Sequence, residues 1–193
     1  MLIYLHGFRS GPQSLKARQL RAHLARQGRS ADLWCEQLPP GPRDAIALIE
    51  APLCRALDAG VEVALAGSSL GGFYALHLAE KYGLRAALVN PAVVAPLSLS
   101  DYVGEHAHMY TGELFRFEQT HVDELRQMDI SGITRPERYL VLLETGDEVL
   151  DWWQAVLKLR GANMIIHAGG DHSLQSFAAE LPRITEFLLP DNG

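Results

Sequence analysis

Short runs of apolar residues alternate along most of the chain with longer segments in which apolar residues recur every three or four positions. The short runs predict six strands: Leu2–Leu5, Ala31–Cys35, Val61–Ala66, Leu84–Asn90, Tyr139–Thr145 and Met164–Ala168. The longer segments predict five helices: Ser14 to about Gln27, a segment after Pro42 to about Ala59, Leu70–Tyr82, Val149–Arg160 and Ser173–Leu189. Because the strand segments are apolar runs rather than alternating patterns and helices separate them, the pattern predicts an α/β fold with about six mostly parallel strands and helices on both faces.

The regular alternation stops between Pro91 and Arg135. This stretch mixes proline, glycine, histidine and aromatic residues, with short helical patterns such as Val122–Met128. Connections of this length are uncommon inside a compact domain and are usually functional. We therefore expect a single domain over residues 1–193 with a small lid insertion at residues 91–135. The apolar side chains of the insertion either line a substrate pocket or pack the insertion onto the sheet, or do both; the candidates for substrate binding are Tyr102, Tyr110 and Phe115.

The composition is that of a globular protein, since 48% of the residues are hydrophobic and 21% are charged. The formal net charge of −6 argues against nucleic acid or an anionic membrane as a partner. Basic side chains nevertheless cluster between residues 9 and 29, where Ala17, Leu20 and Leu24 mark the buried face of a helix. We interpret the cluster as the solvated face of that helix, and a weak anion-binding surface is the alternative.

Cysteine usage and segment lengths indicate where the protein resides. Cys35 and Cys54 lie in no CxxC or Cys/His ligand pattern, which suits reduced thiols in the cytoplasm. The first apolar run is too short for a signal peptide, and no stretch approaches the roughly 18 apolar residues of a membrane helix. We therefore expect a cytoplasmic protein without a membrane span, and we expect no cofactor and no metal.

The strongest chemical signal is Gly67-Ser68-Ser69-Leu70-Gly71, which fits the pattern G-x-S-x-G. It lies where a predicted strand meets a predicted helix, which is the context that this motif requires. In such a turn the serine adopts a strained backbone conformation and exposes its hydroxyl, and the flanking glycines let the strand and helix backbones nearly touch. A phosphate-binding glycine loop is the alternative, but it would need a Lys-Ser/Thr ending or GxGxxG. The motif therefore predicts that Ser69 is a nucleophile.

A serine hydroxyl becomes a strong nucleophile only when a base removes its proton. His172 follows the last predicted strand, and Asp147 follows the fifth, where a carboxylate can orient the imidazole. The sequence therefore predicts a triad of Ser69, His172 and Asp147. Each assignment has an alternative. His172 is alternatively a residue of a solvent-exposed loop. Asp147 alternatively only caps the following helix, in which case Glu148 or Asp151 is the candidate acid.

A tetrahedral intermediate also needs amide donors where its negative charge develops. We expect one donor to be the amide of Leu70, directly after the nucleophile. The other is expected in the loop after the first strand, where Gly7 lets the backbone turn and the amide of Phe8 points inward. The side chain of His6 is more plausible as a buried, hydrogen-bonded structural group than as a reactant.

Four parts of the chain resemble the α/β-hydrolase superfamily: His6-Gly7-Phe8, the stretch from Gly67 to Gly72, Asp147, and Gly170–His172. More closely, the segments LIYLHGFRSGPQSLKARQL, GSSLGGFYA and LLETGDEVLDW resemble the small bacterial YqiA-type esterases. The resemblance implies a minimal α/β-hydrolase fold, serine esterase or acyl-thioesterase activity, and the same triad on Ser69, Asp147 and His172. Unlike in larger members, Leu2–Leu5 is the only predicted strand before the His6-Gly7 loop, so the sheet is expected to be small, and the substrate of a longer relative is not carried over to this chain.

The predicted chemistry is acyl transfer in two steps through an acyl-enzyme on Ser69, with a small acyl ester or an acyl-CoA thioester as the substrate. Three alternatives remain. A peptidase, lactonase or C–C hydrolase could use the same triad, and a non-catalytic ligand-binding protein could keep the fold. The third alternative is a metal site, which His-x-His spacing alone supports only weakly; its ligands would be His106, His108 and His121 with Glu105 or Glu113.

Overall fold

The centre of the computed structural model, which describes residues 1–189, is a six-stranded sheet whose strand pairs are all parallel. In chain order the strands are β1 Leu2–Leu5, β2 Leu33–Trp34, β3 Ala64–Ser68, β4 Arg85–Val89, β5 Gly104–Ala107, β6 Leu114–Phe117, β7 Tyr139–Glu144 and β8 Asn163–His167. The sheet has the order β2-β1-β3-β4-β7-β8, and β5 and β6 form a separate antiparallel hairpin. The loops that follow the parallel strands therefore meet at one edge of the sheet.

Helices pack on both faces of this sheet. They are α1 Leu15–Arg26, α2 Pro42–Asp58, α3 Leu70–Tyr82, α4 Ala95–Ser98, α5 Gln119–Met128, α6 Trp152–Lys158 and α7 Phe177–Leu188. On one face α1 and α7 pack against Leu2 and Tyr4, and on the other α2 and α3 pack against Ile3 and Leu5. Successive side chains of a strand point to opposite faces, so a strand buried on both faces is apolar throughout. The predicted α/β architecture is confirmed.

No helix within residues 1–189 combines the length and the hydropathy that crossing a bilayer requires.

The second predicted strand is much shorter than expected. Residues 30–32 form a 3₁₀ turn, and only Leu33 and Trp34 pair with β1. This strand lies at the edge of the sheet, where a strand has a partner on one side only and is often short. The apolar pattern indicates the presence of the strand but not how many of its residues pair.

Two predicted helices begin later than their hydrophobic periodicity suggests. The helix predicted from Val149 begins at Trp152, because the Asp147 carboxylate holds the amides of Val149 and Leu150 in a preceding turn. The helix predicted from Ser173 begins at Phe177, and residues 173–176 belong to the loop before it. Both displaced starts lie beside predicted site residues: the first follows a local turn on Asp147, and the second follows a loop whose amides at Gln175 and Ser176 donate to the distant Glu144.

The predicted lid insertion contains regular structure that the sequence indicated only in part. The helix α5 begins at Gln119 rather than at Val122, and the hairpin of β5 and β6 was not predicted. The hairpin is tied to the loop after β1, since Arg9 Nε donates to the carbonyl of Ala107 at 3.2 Å and the amide of Met109 donates to the carbonyl of Arg9 at 2.8 Å. The role of this segment as a lid stays a prediction.

Candidate active site

Ser69 lies in the sharp turn between β3 and α3. Its φ of +55° falls in the left-handed region, which non-glycine residues adopt only when the surrounding structure enforces it. Backbone hydrogen bonds hold this conformation. The Ser69 amide donates to the carbonyl of Val89 at 3.0 Å, and the Ser69 carbonyl accepts from the amides of Gly72, Phe73 and Ala92. The serine is therefore held in a strained conformation by its neighbours in the sheet and the helix.

The glycines on either side of Ser69 are required by close backbone contacts. A β-carbon at Gly67 would overlap the carbonyl of Gly71, and one at Gly71 would overlap the carbonyl of Leu5. The first turn of α3 thus packs directly against β1 and β3 with no room for a side chain. The spacing of the G-x-S-x-G pattern follows from this packing.

The structure brings the three side chains of the predicted triad into one hydrogen-bonded chain. His172 Nε2 lies 3.0 Å from Ser69 Oγ, and His172 Nδ1 lies 2.8 Å from Asp147 Oδ2. An ionised carboxylate can only accept hydrogen bonds, so Nδ1 carries a proton and donates a hydrogen bond to Asp147. In a neutral imidazole Nε2 then has a free lone pair and accepts the hydrogen bond from the Ser69 hydroxyl. This arrangement can remove the proton of Ser69.

The Asp147 carboxylate is shielded from solvent, whereas the His172 ring remains accessible. Their side chains are 2% and 22% exposed, respectively. Burial alone would raise the pKa of Asp147, but hydrogen bonds from His172 and from the amides of Leu150 and Val149 outweigh it and lower this pKa. Asp147 therefore stays ionised at neutral pH, and it shapes the turn before α6 with the same carboxylate.

The alternative acids have other partners. Glu148 accepts from the backbone amide of His172 at 3.0 Å rather than from its ring. Asp151 caps α6 by accepting from the amide of Trp153 at 3.0 Å. Of the three acids of this segment, Asp147 is the one that contacts the imidazole.

The two amides predicted to bind an oxyanion belong to segments next to Ser69. Leu70 is the first residue of α3, and the first amides of a helix have no acceptor within it. Phe8 follows Gly7, where an added β-carbon would lie 3.3 Å from the Ser69 Cβ, so this loop runs directly past the serine. The Phe8 ring is held edge-on by Phe115 and Phe117 at centroid distances of 5.8 and 5.1 Å. The role of both amides stays a prediction.

His6 is a buried structural residue, as expected. The amide of Leu38 donates to its Nε2 at 3.0 Å, and its Nδ1 donates to the carbonyl of Gly7 at 2.9 Å. Burial lowers the pKa of His6, so the ring is neutral and has one donor and one acceptor, both used. The ring fixes the loop after β1 against the segment after β2.

A cavity of about 930 Å³ opens over Ser69 and His172. Tyr102 and Tyr110 line it, together with exposed apolar side chains such as Leu97 and Met109, which are 71% and 66% exposed. Phe115 is not among the lining residues, because its ring packs behind Phe8 and against the ring of His108 at 4.7 Å. Of the three candidates for substrate binding, the structure thus places two beside the cavity and one behind it.

The histidines of the insertion have different contacts, although His106 and His108 both pack against the ring of Phe115. His106 Nε2 lies 2.6 Å from the carbonyl of Tyr102, His121 Nδ1 accepts from the amide of Glu118 at 3.1 Å, and His108 stacks on Phe115. Within residues 1–189 no three side chains of histidine, cysteine, aspartate or glutamate are grouped as metal ligands would be.

Two residues near His172 were not identified from the sequence. Glu144, the last residue of β7, and Asn90, directly after β4, are buried and hydrogen-bond to the backbone of the His172 loop. A polar residue at the end of an otherwise apolar strand was the available signal. It does not reveal the partner, because the loop lies more than 25 residues further along the chain.

Solved structures with similar folds define the class to which this fold belongs. Est1E from Butyrivibrio proteoclasticus, in a structure with bound ferulic acid, matches with a TM-score of 0.70 and 14% identity over 97% of this chain and 87% of that chain. Alpha/beta hydrolase domain-containing protein 10 from mouse matches with a TM-score of 0.67 and 17% identity over 96% of this chain and 88% of that chain. Tomato methylketone synthase I matches with a TM-score of 0.65 and 10% identity over 96% of this chain and 97% of that chain. The chain therefore has the α/β-hydrolase fold.

Within this class the family is also defined. The model of the family described as "Uncharacterised protein family (UPF0227)" matches residues 1–189, so the chain belongs to this family. It is the YqiA family, and the resemblance seen in three segments of the sequence is confirmed at the family level.

Proposed function

We propose that this protein is a serine hydrolase that cleaves carboxylic esters or thioesters through Ser69, His172 and Asp147. The observation that carries the proposal is the continuous hydrogen-bonded chain from Ser69 Oγ through the imidazole to the buried Asp147 carboxylate, with distances of 3.0 and 2.8 Å. A base within hydrogen-bonding distance of a serine, itself oriented by an ionised acid, is the arrangement that nucleophilic catalysis requires.

The reaction proceeds in two steps. Ser69 Oγ attacks the carbonyl carbon while His172 Nε2 takes the hydroxyl proton, and the amides of Leu70 and Phe8 donate to the carbonyl oxygen as it becomes negative. The tetrahedral intermediate collapses, and the proton on Nε2 passes to the leaving alkoxide or thiolate. Water then loses a proton to Nε2 and attacks the acyl-enzyme, and a second collapse returns the proton to Ser69 Oγ and releases the carboxylic acid.

The cavity supports a small molecule with an apolar acyl group as the substrate. Its volume of about 930 Å³ exceeds what one catalytic water needs and lies in the range of small-molecule sites. Leu97, Tyr102, Met109 and Tyr110 supply apolar surface close to the nucleophile. Oxygen esters and thioesters share the carbonyl that Ser69 attacks, so both belong to the proposed substrate class.

A panel of four substrate types tests the proposal. We expect p-nitrophenyl esters or acyl-CoA thioesters over a series of acyl lengths to be hydrolysed, with kcat/KM at least about 100-fold above that for lactones and peptides. The purified protein incubated with a fluorophosphonate, which modifies Ser69 covalently, is the matched control and should lose this turnover. Hydrolysis of peptides or lactones in preference to every p-nitrophenyl ester and acyl-CoA thioester would assign the same site to another reaction. Failure to hydrolyse any of them, with no fluorophosphonate labelling, would favour a non-catalytic binding protein.

A further inference from the structure

His172 lies on an irregular loop between β8 and α7. The loop contains Gly169 and Gly170, with φ values of +78° and +72°, and Leu174, whose φ of +55° is unusual for a residue with a side chain. A regular helix or strand satisfies its own backbone groups, whereas a loop of this kind needs other partners to keep a single conformation. The position of the imidazole therefore depends on what holds the loop.

The buried carboxylate of Glu144 holds three amides of this loop. Oε2 accepts from the amides of Asp171 and Gln175 at 2.8 and 2.9 Å, and Oε1 accepts from the amide of Ser176 at 2.8 Å. Glu144 is only 2% exposed, so its carboxylate has lost its hydrogen bonds to water, and the bonds to the three amides replace them. The carboxylate thus contacts the backbone on both sides of His172, one residue before it and three and four residues after it.

Other side chains also hold the loop, in addition to Glu148, which accepts from the His172 amide at 3.0 Å. Asn90 Nδ2 donates to the carbonyls of Asp171 and His172 at 3.1 and 3.2 Å, while its Oδ1 accepts from the amide of Glu144 at 3.1 Å. Lys16 Nζ donates to the carbonyl of Ser173 at 2.6 Å. The ends of β4 and β7 and the helix α1 therefore hold the loop through side chains: Glu144 makes three bonds to the loop, Asn90 makes two and Lys16 makes one.

The backbone of the loop at Gly170 packs closely against the Glu144 side chain. A β-carbon at Gly170 would overlap the Glu144 side chain. The loop thus packs its backbone directly on the carboxylate, and a shift of the carboxylate must shift the loop. This close contact, together with the three amide bonds, makes the position of Glu144 and that of His172 mutually dependent.

We propose that Glu144 is a positioning residue that sets the location of the His172 imidazole relative to Ser69 and Asp147. The inference rests on the proposed function of His172 as the general base. Glu144 does not line the cavity and does not touch the reacting atoms; it acts through the backbone of residues 171–176.

The charge of Glu144 matters as well as its shape. Burial alone would raise its pKa, but the amides of Ser176, Asp171 and Gln175 outweigh burial and lower it, so the group is ionised at neutral pH. A glutamine has one acceptor oxygen and one NH₂ group, which is a donor only. In Glu144→Gln at least one of the three loop amides therefore faces another donor, and the loop must move.

The test compares Glu144→Gln with Glu80→Gln. Glu80 also accepts several hydrogen bonds, from Thr134 and from the Tyr139 hydroxyl at 2.5 Å, but it lies eleven residues after Ser69, about 16 Å along α3. Activities are normalised to the folded fraction from circular dichroism. For Glu144→Gln we expect kcat to fall about 10- to 100-fold with KM changed by less than about twofold, because a displacement of roughly 1 Å at a catalytic group has this effect on the chemical step. Glu80→Gln should keep its kcat.

A second measurement needs no substrate. The Nδ1 proton that His172 shares with Asp147 should give a low-field proton resonance, which a His172→Gln variant identifies by losing it. We expect Glu144→Gln to shift or broaden this resonance and Glu80→Gln to leave it in place. If the wild-type protein hydrolyses no ester, the proposed function fails while this resonance still tests the positioning role.

The inference is overturned if folded Glu144→Gln retains wild-type kcat and an unshifted resonance, even when it unfolds at a lower temperature, since the role of Glu144 would then be structural only. If Glu144→Gln does not fold, Glu144→Asp replaces it. That variant keeps the charge, but its side chain is one methylene too short to reach all three amides. Reduced kcat with unchanged KM in Glu144→Asp supports the inference, and wild-type kcat contradicts it.

Discussion

Replacing Ser69 with alanine is expected to lower kcat for ester hydrolysis by at least about 10⁴-fold, because the reaction loses the atom that attacks the carbonyl. The substitution removes only Oγ, and alanine meets the same backbone strain at φ +55° as serine does. The hydrogen bonds of the turn are made by the Ser69 backbone, so they remain. The free energy of unfolding should therefore change little while turnover disappears.

Ser68→Ala is the matched control for this experiment. Ser68 is the neighbouring residue at the end of β3 and is buried, whereas Ser69 is partly exposed to the cavity. We expect its kcat to stay within about tenfold of the wild-type value, because its hydroxyl has no bond to His172. Unchanged turnover in pure, folded Ser69→Ala protein would contradict the assignment of the nucleophile.

Replacing Asp147 with asparagine is expected to lower kcat by about 10⁴-fold through the tautomer of His172. The amides of Val149 and Leu150 donate to Oδ1 at 2.9 and 2.8 Å, so they hold the oxygen of the asparagine at that position. The NH₂ group then replaces Oδ2, which faces His172 Nδ1 at 2.8 Å. Nδ1 also lies 3.0 Å from Oδ1, but the NH₂ group at the closer position favours the tautomer in which Nδ1 accepts, so the proton moves to Nε2 and no lone pair faces Ser69.

The control is Asp151→Asn, which changes the same charge four residues away and keeps an oxygen to cap α6 at the amide of Trp153. Its kcat should stay near the wild-type value. The two variants are compared by steady-state kinetics over a pH series, with circular dichroism as the measure of folding. An Asp147→Asn variant with kcat within tenfold of the wild type, at any pH of the series, would show that another group orients the imidazole.

Much of the fold could be predicted because its causes are local. Strands β1, β4 and β7 are apolar on both faces, so their runs are visible in the sequence, and α3 was predicted with its observed bounds, Leu70–Tyr82. The turn at Ser69 is equally visible, since Gly67 and Gly71 are required by contacts within a few residues of the motif or with β1. The predicted triad residues also follow strand ends, where a parallel sheet brings loops together.

The remaining parts depend on contacts between distant segments. The bonds of Glu144 and Asn90 to the His172 loop join residues that are 27 to 82 positions apart, and no periodicity encodes them. The hairpin of β5 and β6 has few buried residues, so its sequence shows little alternation. The sequence also does not determine where the Phe115 ring lies, because an aromatic residue in a lid segment can face the cavity or pack behind another ring.

The fold alone does not determine the chemistry. Est1E and tomato methylketone synthase I both match this chain over most of its length, at TM-scores of 0.70 and 0.65. One architecture can carry different reactions, because the reaction depends on the site rather than on the fold. The proposal for this protein therefore depends on the bonds among Ser69, His172 and Asp147 and on the donors around them, rather than on overall similarity.

The most direct test of the central claim is to find the covalent intermediate. The protein is mixed with a p-nitrophenyl ester, quenched in acid during the first turnovers and digested with trypsin. Mass spectrometry then examines the peptide of residues 56–81, in which fragmentation distinguishes Ser68 from Ser69. We predict that this peptide gains the mass of the acyl group and that fragmentation locates it on Ser69. Product formation with the acyl group on another residue, or with no acylated peptide at any quench time, would contradict the account.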